Sequence, residues 1–110
     1  MQRDNAYLLD ILEAAKLAVE YIGNKNKMEF LKDTQCQDAV IRRFTIVGEA
    51  ARRISGKMKA TYPDVPWNEM IGMRNVMVHE YDGVDVVIVW DTVKKDIPVL
   101  ISAIEKVLQG

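Results

Sequence analysis

One cysteine, one histidine, three prolines and no long apolar run put several classes of protein out of reach for this chain. Cys36 has no partner for an internal disulfide, so a disulfide scaffold is excluded; the lone thiol reads as a partly buried side chain in a reducing cytoplasm. No apolar stretch approaches the ~20 residues needed to span a bilayer, and Met1-Gln2-Arg3-Asp4 carries no signal-peptide pattern. Both features predict a cytoplasmic protein. A net charge of −1 argues against a protein that coats nucleic acid nonspecifically. His79, Glu80, Asp82 and Asp85 are the one imaginable ligand set, and their spacing matches no metal-site pattern. No internal repeat or low-complexity tract is present.

What remains is the composition of a globular protein, 49% hydrophobic and 28% charged over 110 residues, which predicts one domain over 1–110. Leu8, Ile11, Leu12, Ala15, Ala18, Val19 and Ile22 recur at helical spacing. They predict a helix from about Asn5 to Ile22, capped by Asp4 and stopped at Gly23-Asn24. Residues 24–27 read as a loop, and Met28, Phe30 and Leu31 as one short turn packed on the bundle. A second long helix starts near Asp33 or Thr34 and ends near Ser55-Gly56, with Val40, Phe44, Val47, Ala51 and Ile54 as its apolar stripe. Gly48 lies beside that stripe and suits close helix approach. Pro63 and Pro66 end helical structure between 62 and 66.

A third helix begins at Pro66 or Trp67, with Met70, Ile71, Met77 and Val78 as core candidates. The last segment, from Val84 to Leu108, starts with the strand-prone run Val86-Val87-Ile88-Val89-Trp90. It nevertheless keeps helical period through Val93, Ile97, Leu100, Ile101 and Ile104, and a lone strand has nothing to pair with. It reads as a helix capped at Asp85 and kinked at Pro98. The predicted fold is all-α, an up-and-down bundle of four main helices plus a short helical turn.

Charge is unevenly spread. Between Ile41 and Ala60 stand Arg42, Arg43, Arg52, Arg53, Lys57 and Lys59 against Glu49 alone. The segment is either a phosphate-facing surface or a solvated helix face.

The chemistry concentrates in Arg74-Asn75-Val76-Met77-Val78-His79-Glu80-Tyr81. A guanidinium can grip a phosphate in bidentate fashion. An imidazole can give or take a proton near neutral pH. A phenol can donate a hydrogen bond or act as a nucleophile. On a helix Asn75 and His79 share one face, whereas Arg74 and His79 lie ~140° apart. One straight helix therefore cannot converge all four groups. A helix end at Asp82-Gly83, a second helix or a second subunit must complete any site. The bland alternatives are a histidine capping a helix C-terminus, Arg74 paired with Glu80 or Asp82, and Tyr81 packed as core.

Read as Arg-x4-His-x-Tyr, this stretch resembles the signature of HEPN-domain ribonucleases. The segments Ile46-Val47-Gly48-Glu49-Ala50-Ala51, Pro66-Trp67 through Arg74, and Tyr81 to Val89-Trp90 resemble the HepT-like branch of that superfamily. The resemblance implies a HEPN-like bundle and a metal-independent, cofactor-free endoribonuclease, the toxin of a toxin–antitoxin pair. Arg74 and His79 are then the catalytic residues, supported by Asn75 and Tyr81. Arg42, Arg43, Arg52 and Arg53 are candidate RNA-binding residues. It also implies a homodimer with the active groove between protomers, and a partner nucleotidyltransferase that adds AMP to Tyr81. The rival expectation is a noncatalytic HEPN-like module that binds a nucleotide or docks a nucleotidyltransferase; a plain dimerisation bundle is the third.

Overall fold

A computed structural model describes residues 2–79 and 85–110, with the side chains of all these except 2 and 74–79. Every regular element among them is helical: α1 (Gln2–Ile22), α2 (Lys27–Leu31), α3 (Thr34–Arg53), α4 (Gly56–Thr61), α5 (Trp67–His79), α6 (Val86–Asp91), a π-helical turn (Thr92–Asp96) and α7 (Ile97–Gln109). The all-α bundle expected from periodicity is the fold. No helix among the described residues is long and apolar enough to cross a membrane.

The first hairpin of helices follows the expected pattern. Gly23 ends α1 at a positive φ of 52°, a conformation that costs glycine nothing. Lys27, expected in the loop, instead opens α2. Asn26 caps that helix in a reciprocal box: it accepts from the Glu29 amide at 2.9 Å, and Glu29 accepts from the Asn26 amide at 2.8 Å. Phe30 is fully buried, but Met28 is 62% exposed and does not pack on the bundle. Asp33 caps α3 by accepting from the Cys36 amide at 3.0 Å.

The buried row of α1 is Leu8, Ile11, Ala15, Ala18 and Ile22, joined by Ala14. Val19, expected in this stripe, is 39% exposed. It stands one position, ~100°, beyond Ala18 and reaches the solvent edge of the helix. Across from α1, α3 buries Val40, Phe44, Val47, Gly48, Ala50 and Ala51, so Gly48 does lie in the packed face.

Asp4 does not cap α1, which begins at Gln2. Asp4 is 3% exposed and its carboxylate bonds to Ser55 at the end of the neighbouring α3, accepting from its amide at 2.9 Å and its hydroxyl at 2.6 Å. The Ser55 oxygen in turn accepts from the Met58 amide at 3.1 Å and starts α4, a short helix that the sequence reading did not anticipate. A contact between residues 51 positions apart leaves no periodic trace. At the other end of the pair, the Cys36 thiol donates to the Tyr21 carbonyl at 3.5 Å, so α1 and α3 are antiparallel. Burial pushes the Cys36 thiol above its usual value.

The Ser55 hydroxyl and amide hold the Asp4 carboxyl below the usual carboxylate range. A lowered folded value means that the link contributes fully at neutral pH and is lost as pH falls through that value. Asp4→Ala is expected to cost about 1.5–3 kcal/mol at pH 7, as for hydrogen bonds to a charged group. Urea titrations should show the gap to the parent protein closing in acid. An equal gap at acid and neutral pH would contradict the assignment.

Residues 62–66 turn the chain with the Trp67 indole donating to the Tyr62 carbonyl at 2.9 Å. Tyr62 shares a small cleft with Asp4 and Ser55, so α5 starts beside the end of α3 and packs back along it. Asp85 caps α6 by accepting from the Val87 amide at 2.9 Å, as expected. The strand-prone run 86–90 is helical because Val89 and Trp90 pack inward, Trp90 against Phe30 with ring centroids 5.6 Å apart. The last helix is interrupted one turn before Pro98. Ile97 donates to the Thr92 carbonyl, a widened i→i+5 bond, and Pro98 then sits in the first turn of α7. Proline lacks an amide hydrogen and crowds the carbonyl four residues earlier; widening the preceding turn relieves both conflicts.

Candidate active site

Helix α5 carries the motif. Pro66 and the Trp67 indole set its start, with the Met70 amide bonded to the Pro66 carbonyl at 3.1 Å. The helix is unbroken from Trp67 through His79, so Arg74, Asn75 and His79 belong to one element. Tyr81, Asp82 and Gly83, the expected helix stop among them, lie outside the described residues.

Continuity turns spacing into geometry. In helical register, position 74 falls between Trp67 and Met70, which are buried, within ~20–40° of each. Positions 75 and 79 fall ~100–140° away from position 74 on the row that also holds Asn68 and Gly72. Asn68 is exposed, and a Cβ built on Gly72 would meet nothing within 4 Å. The guanidinium-bearing position is thus on the inward row, and the imidazole-bearing position is on the open row. This helix alone separates the two groups. Completing a site requires residues beyond 79, another helix or another chain.

Gly72 departs from helix-forming preference without an internal reason. A glycine inside a helix costs ~1 kcal/mol relative to alanine, and here no neighbour among the described residues excludes a methyl group.

The six cations between 41 and 60 differ in exposure. Arg42, Arg52, Arg53 and Lys57 are exposed, whereas Lys59 is half-buried. Arg43 is also half-buried, with its guanidinium 6.0 Å from the centre of the Tyr21 ring, a cation–π distance. Its Nε is enclosed with no hydrogen-bond acceptor among the described residues. None of the six forms an ion pair among the described residues, where the pairs are Lys16–Glu105 at 3.2 Å and Lys25–Asp33 at 4.0 Å.

The sequence reading passed over one basic group. Lys94 Nζ sits 4.9 Å over the Trp90 ring. The i,i+4 spacing of an aromatic and a lysine was the available signal.

The family model described as ribonuclease HepT-like matches residues 11–107, covering α5 and both of its neighbours in the chain. The chain belongs to the HepT-like ribonuclease family. Among its relatives is "Probable ribonuclease HepT" of Thermococcus cleftensis, 45% identical over 100 residues that cover 91% of each chain. "Putative RNase MJ1380" of Methanocaldococcus jannaschii is 39% identical over 100 residues, 91% of this chain and 92% of that protein. "Putative RNase TTE0752" of Caldanaerobacter subterraneus subsp. tengcongensis is 33% identical over 109 residues, 99% of this chain and 97% of that protein. No solved structure matches the chain. The match runs nearly end to end, so α5 is read within a whole HepT-like domain rather than as an isolated motif.

Proposed function

We propose that this protein is a metal-independent endoribonuclease and the toxin half of a toxin–antitoxin pair. The observation that carries this reading is the placement of Arg74, Asn75 and His79 on one continuous helix, α5, of a HepT-like chain. RNA holds its own nucleophile. The 2′-hydroxyl attacks the adjacent phosphorus while a base takes its proton. The bond from phosphorus to the 5′-oxygen then breaks, and an acid protonates that oxygen. His79 is the proton-transfer residue. Arg74 neutralises charge on the phosphorane oxygens. Asn75, one turn before His79 on the same row, orients the imidazole or donates to a phosphate oxygen. Tyr81 positions the RNA and is the site at which a partner nucleotidyltransferase attaches AMP. Exposed Arg42, Arg52 and Arg53, with Arg43, steer the RNA backbone.

Two proton transfers and one histidine per chain favour a symmetric homodimer with both copies of the motif in one groove. The register of α5 supports that arrangement, because its inward and outward rows divide the motif between them.

Incubation of the purified protein with single-stranded RNA in excess EDTA tests the reading. Cleavage should persist, with products ending in a 2′,3′-cyclic phosphate. RNA left intact with and without added divalent metal would favour the noncatalytic, nucleotidyltransferase-docking module. Products ending in a 3′-hydroxyl would rule out attack by the 2′-hydroxyl.

A further inference from the structure

The open row of α5 is longer than the motif. Asn68, Gly72, Asn75 and His79 are spaced by four, three and four residues, and in register they fall within ~60° of one another. They span ~16 Å along the axis at 1.5 Å per residue. Trp67, Met70, Ile71 and Met73, all buried or half-buried, occupy other rows of this helix. A line of amide, hydrogen, amide and imidazole on a helix otherwise rich in large apolar side chains calls for a physical reason. Asn68 is exposed, so core packing does not supply one. Gly72 is half-buried, yet a Cβ built on it would meet nothing within 4 Å, so close packing among the described residues does not supply one either. A missing side chain on an open helix face allows a backbone from outside the chain to approach closely. A carboxamide on either side can donate to phosphate oxygens or to ribose and base edges.

We propose that this row is a substrate track. It extends the site by two turns toward the N-terminus of α5 and holds single-stranded RNA on the side leading away from His79. Asn68 is a binding residue that donates to the RNA, and Gly72 is the point of closest backbone approach. The proposal rests on the ribonuclease reading and adds two residues outside the Arg-x4-His-x-Tyr motif. RNA fits the row better than an apolar partner does, because its polar groups are donors and its one gap admits a sugar–phosphate chain.

The test uses a fluorescein-labelled 2′-O-methyl oligoribonucleotide, which lacks the free 2′-hydroxyl and is bound without turnover. Affinity is read by fluorescence anisotropy, and cleavage of the unmodified RNA is followed in parallel. Gly72→Ala and Gly72→Leu have open space to occupy and should keep or raise the urea midpoint. They should weaken binding several-fold and more than tenfold respectively. Asn68→Ala should raise KM several-fold with kcat within twofold of the parent. Asn68→Asp, equal in size but anionic, should bind more weakly than Asn68→Ala because a carboxylate repels phosphate. A merely structural asparagine has no reason to distinguish these two. Parent affinity in both Gly72→Leu and Asn68→Asp would overturn the track and leave the ribonuclease reading standing. Lower self-association of Gly72→Leu in light scattering, with RNA affinity unchanged, would overturn it in favour of a surface for a second copy. A parent protein that neither binds the probe nor cleaves RNA would overturn both readings.

Discussion

His79→Ala is expected to abolish RNA cleavage, and with it the growth arrest that the proposed toxin role predicts on expression. Helical circular dichroism and oligomeric state should be unchanged. The magnitude follows from the inventory of the chain. General acid–base catalysis contributes typically ~10²–10⁴-fold per positioned group. With one histidine per chain, a symmetric dimer loses the imidazole from both halves of a shared groove at once. No other residue type in the motif has an ordinary pKa near neutral pH. Arg74→Ala should behave differently. It removes charge stabilisation but leaves proton transfer, so a loss of ~10²–10³-fold is expected, as for deletion of one oxyanion donor. Lysine at 74 should recover only part of that loss, because a point charge cannot grip a phosphate in bidentate fashion. Single-turnover cleavage of a labelled RNA by the three variants is the measurement. Full activity in His79→Ala would remove this histidine from the mechanism, whatever its effect on RNA binding.

A comparably large loss is expected from modification of Tyr81. The phenol is two residues beyond His79 and next to Asp82-Gly83, a pair suited to a turn. An AMP group there brings a phosphate and an adenosine into the space that RNA must occupy. Its phosphate can pair with Arg74 and use the donors meant for the scissile group. Inhibition is then competitive, by charge and volume, and needs no unfolding of the bundle. Incubation with the proposed partner nucleotidyltransferase and ATP should add one AMP per chain and silence cleavage. Tyr81→Phe should fold normally, escape modification and remain active in the presence of that enzyme. Intact-mass spectrometry followed by peptide mapping decides the matter. An unmodified chain, or AMP on Tyr7, Tyr21 or Tyr62, would refute this switch.

Much of the bundle was legible because helical burial is periodic. The spacing of Leu8, Ile11, Ala15, Ala18 and Ile22, and of Val40, Phe44, Val47 and Ala51, names the faces that are in fact buried. Local punctuation was equally direct. Gly23 supplies a left-handed residue, and Asp33 and Asp85 supply capping carboxylates. Where the reading failed, the deciding interaction was not local. Asp4 is a capping residue type but is bonded to Ser55, 51 positions away at the end of the neighbouring helix α3. Helix α4 exists because the same serine restarts the chain after α3. Its signal is a serine just before Gly56, a pair that ends one helix and caps the next.

For the candidate site, the types and spacing of Arg74, Asn75, His79 and Tyr81 pointed to phosphoryl-transfer chemistry, because each group has one dominant capability near neutral pH. Spacing also implied that a straight helix separates Arg74 from His79. Only the folded chain made α5 continuous through 79, set Trp67 and Met70 on its buried row, and left Asn68 and Gly72 on the open one. It also divided the basic segment, placing Arg43 over Tyr21 and leaving Arg42, Arg52 and Arg53 in solvent. Sequence alone determined the chemical groups and the helices that carry them, since propensity and periodicity act over a few residues. Which face each helix turns outward was decided by tertiary structure, because burial depends on what the rest of the chain packs against it.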